Sequence, residues 1–121
     1  MRLRLAPSLA GLLALLPLPA LAHAMLVSAS PRVGSTVPAS PSDITLTFSE
    51  GVEAALSGVE VTDATGQKVR TGRATVAPGN PAVLVVKLPT RLAPGRYEVA
   101  WHVVSVDTHK TQGHFSFQVG P

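Results

Sequence analysis

Two short stretches of the sequence carry residue types that bind metal ions. In the first, "VVSVDTHKTQGHF", Asp107 and His109 are separated by one residue. On extended backbone their side chains would leave the chain on the same side, so a carboxylate and an imidazole could chelate one ion. The same Asp-x-His pattern also occurs as a surface hydrogen-bonded pair near a strand end, and on its own it favours that structural interpretation.

The second stretch, "LALLPLPALAHAML", places His23 directly after an apolar run. Two arginines precede an apolar core over residues 9–18, and Ala20-x-Ala22 supplies the small residues that a signal peptidase recognises. Residues 1–22 are therefore predicted to be a secretory signal peptide. Prolines stop the apolar run short of the roughly 20 residues that a membrane-spanning helix needs.

Cleavage after Ala22 places His23 at the start of the mature chain, where its α-amine and Nδ1 can bind one ion in a chelate ring. With Asp107 and His109, this gives three nitrogen donors and one oxygen donor. Such a set suits tetragonal coordination and favours Cu²⁺, although donor type alone also permits Zn²⁺. The alternative is that His23 is simply the residue that follows the cleavage site.

The elements that must position these residues are predicted to be strands. Alternating or β-branched runs recur at short spacing, namely "AMLVSAS", "DITLTFS", "SGVEVTD", "AVLVVKL", "RYEVAWHVVS" and "GHFSFQV". Gly, Pro and Asn turn signals separate them, and no stretch keeps a helical apolar period. About seven short strands in roughly 100 residues predict an all-β, two-sheet Greek-key sandwich, a single domain over residues 23–121.

The strand periodicity also predicts the core. In "DITLTF", every second side chain from Ile44 onward should point inward, whereas the threonines face out. The run "AVLVVKL" is apolar on both faces, which indicates a central strand. Trp101 would lie on the same face of its strand as neighbouring valines, and it is expected to anchor the core. The polar segment from Thr62 to Pro81 is expected to form a hairpin or a mobile loop.

Composition excludes several classes of function. The chain has ten Lys and Arg against seven Asp and Glu, and loss of Arg2 and Arg4 with the signal peptide leaves a formal charge of +1. A nearly neutral domain gives little support to nucleic-acid or anionic-membrane binding. The sequence has no cysteine, so neither disulfides nor thiolate metal sites are available.

Four motifs together resemble the CopC-type periplasmic copper-binding proteins of copper resistance and homeostasis. They are "HAMLVSASPRVGSTV", "LTFSEGVE", "PGRYEVAWHVVSVDTHKTQG" and "FSFQV", and they cover essentially the whole mature chain. The resemblance implies a cupredoxin-like Greek-key β-sandwich of seven to eight strands that binds one Cu²⁺ per chain. It implies that His23 (through its amine and imidazole), Asp107 and His109 are the ligands. It also implies that Glu50 accepts a hydrogen bond near the amine, the alternative being a solvated acid at a strand end.

The chain departs from some members of that family, which carry a Met-rich loop for Cu⁺. Its mature part has only Met25, which is expected to be a strand residue packed on the core. We therefore expect a single Cu²⁺ site and no Cu⁺ site. His102 has the opposite strand parity from Asp107 and is expected not to be a ligand. His114 is expected to be a surface residue of the last strand, although it could complete the coordination in place of water.

The function expected from these observations is that of a Cu²⁺ carrier or buffer, without a catalytic set, and the protein is expected to be a monomer in the periplasm. The family resemblance implies a CopD-type inner-membrane protein as the partner that accepts the metal. A copper-dependent oxidative enzyme is a weaker alternative, because aromatic residues make up only 4% of the chain and offer little surface for stacking sugars. A metal-independent, immunoglobulin-like interaction module is the third possibility.

Overall fold

Nine strands are present in a computed structural model that describes residues 23–120. In chain order they are β1 (Leu26–Ser30), β2 (Thr36–Val37), β3 (Asp43–Phe48), β4 (Gly58–Asp63), β5 (Lys68–Val69), β6 (Thr75–Ala77), β7 (Asn80–Lys87), β8 (Gly95–Val104) and β9 (Lys110–Val119), with one 3₁₀ turn at Ala54–Leu56. The predicted signal peptide, residues 1–22, lies outside the described residues. No helix in residues 23–120 is long and apolar enough to cross a bilayer.

The strands form two sheets, as predicted. One sheet has four strands in the order β1-β3-β7-β6, and the other has five in the order β2-β9-β8-β4-β5. All pairs are antiparallel except β2 with β9. Because neighbours in each sheet are often distant in sequence, the chain crosses repeatedly between sheets. The predicted all-β class is confirmed.

Apolar side chains from the two inner faces fill the space between the sheets. In β3, Ile44 and Leu46 are fully buried and Phe48 is 3% exposed, which confirms the predicted alternation. The ring of Phe48 meets that of Trp101 on β8 edge to face, with centroids 5.1 Å apart. This aromatic pair joins the two sheets, and each ring contributes a large buried apolar surface. The expected core role of Trp101 is therefore confirmed.

The remaining strand predictions have mixed outcomes. The run "AVLVVKL" lies largely in β7, which has a neighbour on both sides and is central to its sheet, as expected. The polar segment from Thr62 to Pro81 is more regular than a mobile loop, because it contains β5 and β6, each in an antiparallel hairpin. The last strand begins at Lys110, three residues before the run "GHFSFQV" from which this strand was predicted.

Candidate metal centre

The loop between β8 and β9 presents Asp107 and His109 on a tight turn. Ser105 donates its N–H to the carbonyl of His109 at 2.8 Å, and Thr108 donates its N–H to the carbonyl of Ser105, also at 2.8 Å. Thr108 has a φ of 71°, in the left-handed region that few residues outside glycine adopt. The expectation that extended backbone aims Asp107 and His109 to one side is therefore wrong, because a turn performs this positioning.

The buried hydroxyl of Ser105 organises this turn. Its side chain is fully buried, and its Oγ donates to Oδ1 of Asp107 while it accepts the backbone N–H of His109 at 3.2 Å. The hydroxyl is the main reason why the pKa of Asp107 lies below its usual value; His109 lowers the pKa further and burial opposes the shift. Asp107 is thus held as a carboxylate, the form that binds a metal ion.

Asp107 and His109 also contact each other directly. Nδ1 of His109 lies 3.2 Å from Oδ1 of Asp107, while the two side chains remain 37% (Asp107) and 53% (His109) exposed. Both side chains can therefore be reached from solvent by an ion. Metal–ligand bonds of about 2.0–2.2 Å at right angles separate neighbouring donors by about 2.9 Å, close to the separation seen here.

The segment around His23 is fixed to both sheets by hydrogen bonds. Ser49, which follows β3, accepts the N–H of Met25 at 2.9 Å and donates its hydroxyl to the carbonyl of His23 at 3.3 Å. From the other sheet, Thr111 on β9 donates its hydroxyl to the carbonyl of Ala24 at 2.8 Å. The side chain of Ala24 is fully buried. The segment is therefore held across one end of the sandwich.

This attachment brings His23 beside the loop. The ring centroids of His23 and His109 are 4.8 Å apart, with an angle of 47° between the ring planes. His109 thus contacts both of the other predicted ligands, the imidazole of His23 and the carboxylate of Asp107. All three residues predicted as ligands are brought to the same end of the molecule.

The donor set fits copper in chemistry, although the side chains are not arranged around one point. Within residues 23–120, no three His, Asp or Glu side chains form a ready-made metal-binding group. The hydrogen bond between His109 and Asp107 would have to give way if both atoms were to bind one ion, and exposed side chains on a turn can make that adjustment. Imidazole nitrogens with a carboxylate oxygen suit Cu²⁺ and, in donor type, Zn²⁺.

The role that the resemblance implies for Glu50, accepting a hydrogen bond near the amine, stays a prediction. Glu50 is half-buried, and its neighbour Ser49 is the residue of the Phe-Ser-Glu motif that binds the N-terminal segment. Sequence reasoning also missed Ser105 and Thr111. The available signal was only that small hydroxyl residues flank the Asp-x-His pair. Ser105 acts within its own turn, through Asp107 and His109, whereas Thr111 acts on the distant Ala24.

The other two histidines lie on the outer face of the five-stranded sheet. His102 alternates with buried neighbours on β8 and lies against Gly58, whose Cα faces its ring. His114 on β9 is exposed, and its Nδ1 lies 2.9 Å from Oε2 of Glu98. His114 is thus a surface residue of the last strand, as expected, with a carboxylate partner of its own.

Met25 differs from its expected position. It is 61% exposed and lies just before β1, so it does not pack on the core. The residues on either side explain this. Ala24 is fully buried and Leu26 packs against the core, and side chains alternate along an extended chain. Met25 therefore points outward.

A small two-sheet β-sandwich with histidine and carboxylate side chains gathered at one end is the arrangement of a metal-binding domain. The chain belongs to the CopC family: residues 26–120 match the CopC domain. Proteins of this family bind or transport copper in copper resistance, and they are not enzymes. Protein YobA of Escherichia coli K12 is 45% identical over 98 residues, which cover 81% of this chain and 79% of YobA.

Two solved structures share the fold and the family. CopC from Methylosinus trichosporium OB3b is 39% identical, with a TM-score of 0.77 over 82% of this chain and 95% of that one. PcoC of Escherichia coli, a methionine-rich copper resistance protein, is 32% identical, with a TM-score of 0.73 over 81% of this chain and 99% of that one. Unlike PcoC, the present chain has only two methionines.

Proposed function

We propose that the protein is a periplasmic Cu²⁺ carrier that binds one Cu²⁺ per chain at its mature N-terminus. The ligands are the amine and imidazole of His23, the carboxylate of Asp107 and the imidazole of His109. The observation that carries this proposal is the approach of the His23 and His109 rings to 4.8 Å. The family match begins at residue 26, so the geometry and donor chemistry support His23, whereas family membership supports copper binding.

Residues 1–22 act in this proposal as a signal peptide whose removal creates the amine ligand. An internal His23 would have an amide nitrogen, which binds Cu²⁺ only after losing its proton. Export and site assembly are thus linked, because the complete donor set exists only in the processed chain. The periplasmic location follows from the same signal peptide.

The carrier holds Cu²⁺ at an exposed end of a rigid fold and releases it to another protein. The ligands lie on a turn and on the N-terminal segment, where a partner can approach them. A CopD-type inner-membrane protein is the acceptor that family resemblance supports. A monomer is sufficient for this function, since one chain supplies all four donors.

Electron paramagnetic resonance of the mature protein tests the site directly. With the N-terminus verified as His23 and one equivalent of Cu²⁺ added against a competing chelator, we expect an axial type 2 spectrum with nitrogen couplings. The variants Asp107→Ala and His109→Ala should lose this spectrum. Copper that stays with a weak chelator in the unaltered protein would refute the carrier proposal.

Extension of the N-terminus separates amine ligation from imidazole ligation. One alanine added before His23 displaces the amine and should lower Cu²⁺ affinity by more than about tenfold. The matched control is the same alanine added after Pro121, which should leave affinity unchanged. Equal affinity of the two extended proteins would show that the amine is not a ligand.

A further inference from the structure

Met25 lies two residues from His23, and the proposed function does not use it. Its side chain is 61% exposed. Exposure alone carries little information, because Val27 and Val33 are exposed to a similar degree and single exposed apolar residues are normal. Met25 differs from them in having a thioether sulfur, a donor that soft metal ions prefer.

The backbone of Met25 is held firmly in place. Its N–H donates to Oγ of Ser49 at 2.9 Å, and its carbonyl accepts the N–H of Ser49 at 2.8 Å. The next residue, Leu26, is paired with Phe48 in the four-stranded sheet. Only the side chain of Met25 is therefore free to move, and its Cα stays at a fixed position relative to the site.

Met25 and His23 project to the same side of the segment. Burial alternates along it, with His23 half-buried, Ala24 fully buried and Met25 exposed. Because Ala24 points into the core, the side chains on either side of it point away from the core. The thioether thus leaves the chain on the same side as an imidazole that contacts His109.

We infer that this end of the molecule also binds Cu⁺, through the thioether of Met25 together with the imidazoles of His23 and His109. This inference rests on the proposed function for the identity of the two imidazoles. Thioethers and imidazoles bind Cu⁺, whereas the carboxylate of Asp107 prefers harder ions. The two oxidation states therefore share the imidazoles and differ in the remaining donors.

The inference replaces the expectation that the chain has no Cu⁺ site. That expectation rested on the lack of a Met-rich loop and left Met25 aside as a core residue, and the structure contradicts the core position. No electron transfer is involved, since the ion binds as Cu⁺ and leaves as Cu⁺. The site also differs from a Met-rich loop, because it has one thioether and lies at the Cu²⁺ end of the molecule.

Paired affinity measurements on the mature protein and its Met25→Leu variant test the inference. Cu⁺ is presented anaerobically in competition with bicinchoninate, and Cu²⁺ is presented aerobically with a second chelator. Leucine keeps the size of the side chain but removes the sulfur. We expect Met25→Leu to lower Cu⁺ affinity by at least about tenfold and to leave Cu²⁺ affinity within about twofold. X-ray absorption of the Cu⁺-loaded protein should show a sulfur neighbour that the variant lacks.

A relocated thioether is the matched control. Val33 is similarly exposed and lies in a turn whose next residue, Gly34, bonds to Ser116. Ser116 is on β9, about 20 Å along the strand from Lys110 at the site end. The double variant Met25→Leu/Val33→Met should therefore bind Cu⁺ as weakly as Met25→Leu alone.

The possible failures are distinguishable. If Cu²⁺ binds tightly but Met25→Leu leaves Cu⁺ affinity unchanged, Met25 is not a ligand and the inference fails while the carrier proposal stands. If the double variant regains Cu⁺ affinity, any exposed thioether suffices and the inference also fails. If the unaltered protein does not bind Cu²⁺, the carrier proposal itself fails. Circular dichroism confirms that each variant is folded.

Discussion

At the scale of single residues, hydroxyl groups rather than charges shape the candidate site. Ser105 holds the carboxylate of Asp107 and the backbone of His109, while Ser49 and Thr111 hold the segment that presents His23. A neutral hydroxyl orients a ligand without competing for the metal ion. The proposed ligands can therefore be exposed while hydrogen bonds to these hydroxyls fix their backbone.

Replacing single histidines by alanine should distinguish the proposed ligand His109 from His102, which is not expected to bind the metal. His109→Ala deletes the donor that contacts both His23 and Asp107, so Cu²⁺ affinity should fall by more than about 100-fold. His102→Ala is the matched control, because His102 lies on the outer sheet face and should have little effect. Competition with a chromophoric chelator measures the Cu²⁺ affinity of both variants. Equal losses would mean that the wrong histidine has been assigned.

At the scale of elements, β8 and β9 form the ladder from which the site loop extends. They are paired over their whole length, from Gly95 with Val119 to Val104 with Lys110. The ladder is closely packed where the indole of Trp101 covers Gly113. A Cβ at Gly113 would lie 2.5 Å from Cζ2 and 2.9 Å from Cε2 of that ring. The absence of a side chain at Gly113 is therefore a packing requirement.

Gly113→Ala should destabilise the fold by about 1–3 kcal/mol, the usual cost of overpacking a core. The indole cannot move freely, since it also packs edge to face against Phe48. Urea denaturation measures the change. Gly72→Ala is a suitable control, because a Cβ there comes no closer than 3.4 Å to Lys87 and should be tolerated. Equal stability of the two variants would show that Trp101 relaxes at no cost.

The turn between β4 and β5 depends on one carboxylate. Oδ1 of Asp63 accepts the N–H and hydroxyl of Thr65 at 2.9 and 2.6 Å and the N–H of Gln67 at 3.0 Å. These bonds, that of the Thr65 hydroxyl foremost, hold the pKa of Asp63 below its usual value. The ionised carboxylate therefore stabilises the folded state above an unfolded pKa of about 3.9, and this stabilisation is lost as pH falls through the lower folded pKa.

Asp63→Asn should accordingly lower the free energy of unfolding at neutral pH, because a neutral amide accepts weaker hydrogen bonds. The difference from the unaltered protein should shrink as pH falls below about 3.9 and through the folded pKa of Asp63. Urea denaturation at a series of pH values measures this difference. A constant difference at every pH would show that ionisation of Asp63 is irrelevant to stability.

Sequence patterns predicted the long elements well and the short ones poorly. In β3, burial on one face imposes the alternation from Ile44 to Phe48, so the sequence displays it. Strands β2 and β5 have two residues each, too few to show any period. At the site, the pattern indicated which residue types meet. The turn at Thr108 is held by local hydrogen bonds of Ser105 that no periodicity reveals, and the outward position of Met25 depends on contacts with the distant Ser49.

At the scale of the whole molecule, the candidate site lies where the two sheets are joined. The segment from His23 to Met25 is bonded to Ser49 beyond one sheet and to Thr111 of the other. Below it, Phe48 from one sheet packs against Trp101 from the other. The apolar core is continuous and none of the proposed ligands belongs to it. Metal binding and folding are therefore expected to be separable.

Removal of copper should leave the protein folded. Since the buried strands stabilise the fold without a metal ion, treatment with a chelator should preserve the β-sheet circular dichroism spectrum and a cooperative thermal transition. Cu²⁺ at about 100 times its dissociation constant should then add about 2.7 kcal/mol to the free energy of unfolding. It should raise the midpoint of thermal unfolding by on the order of 10–20 °C. His109→Ala should lose this increase but keep the metal-free midpoint. Unfolding by the chelator alone would instead identify copper as a structural ion.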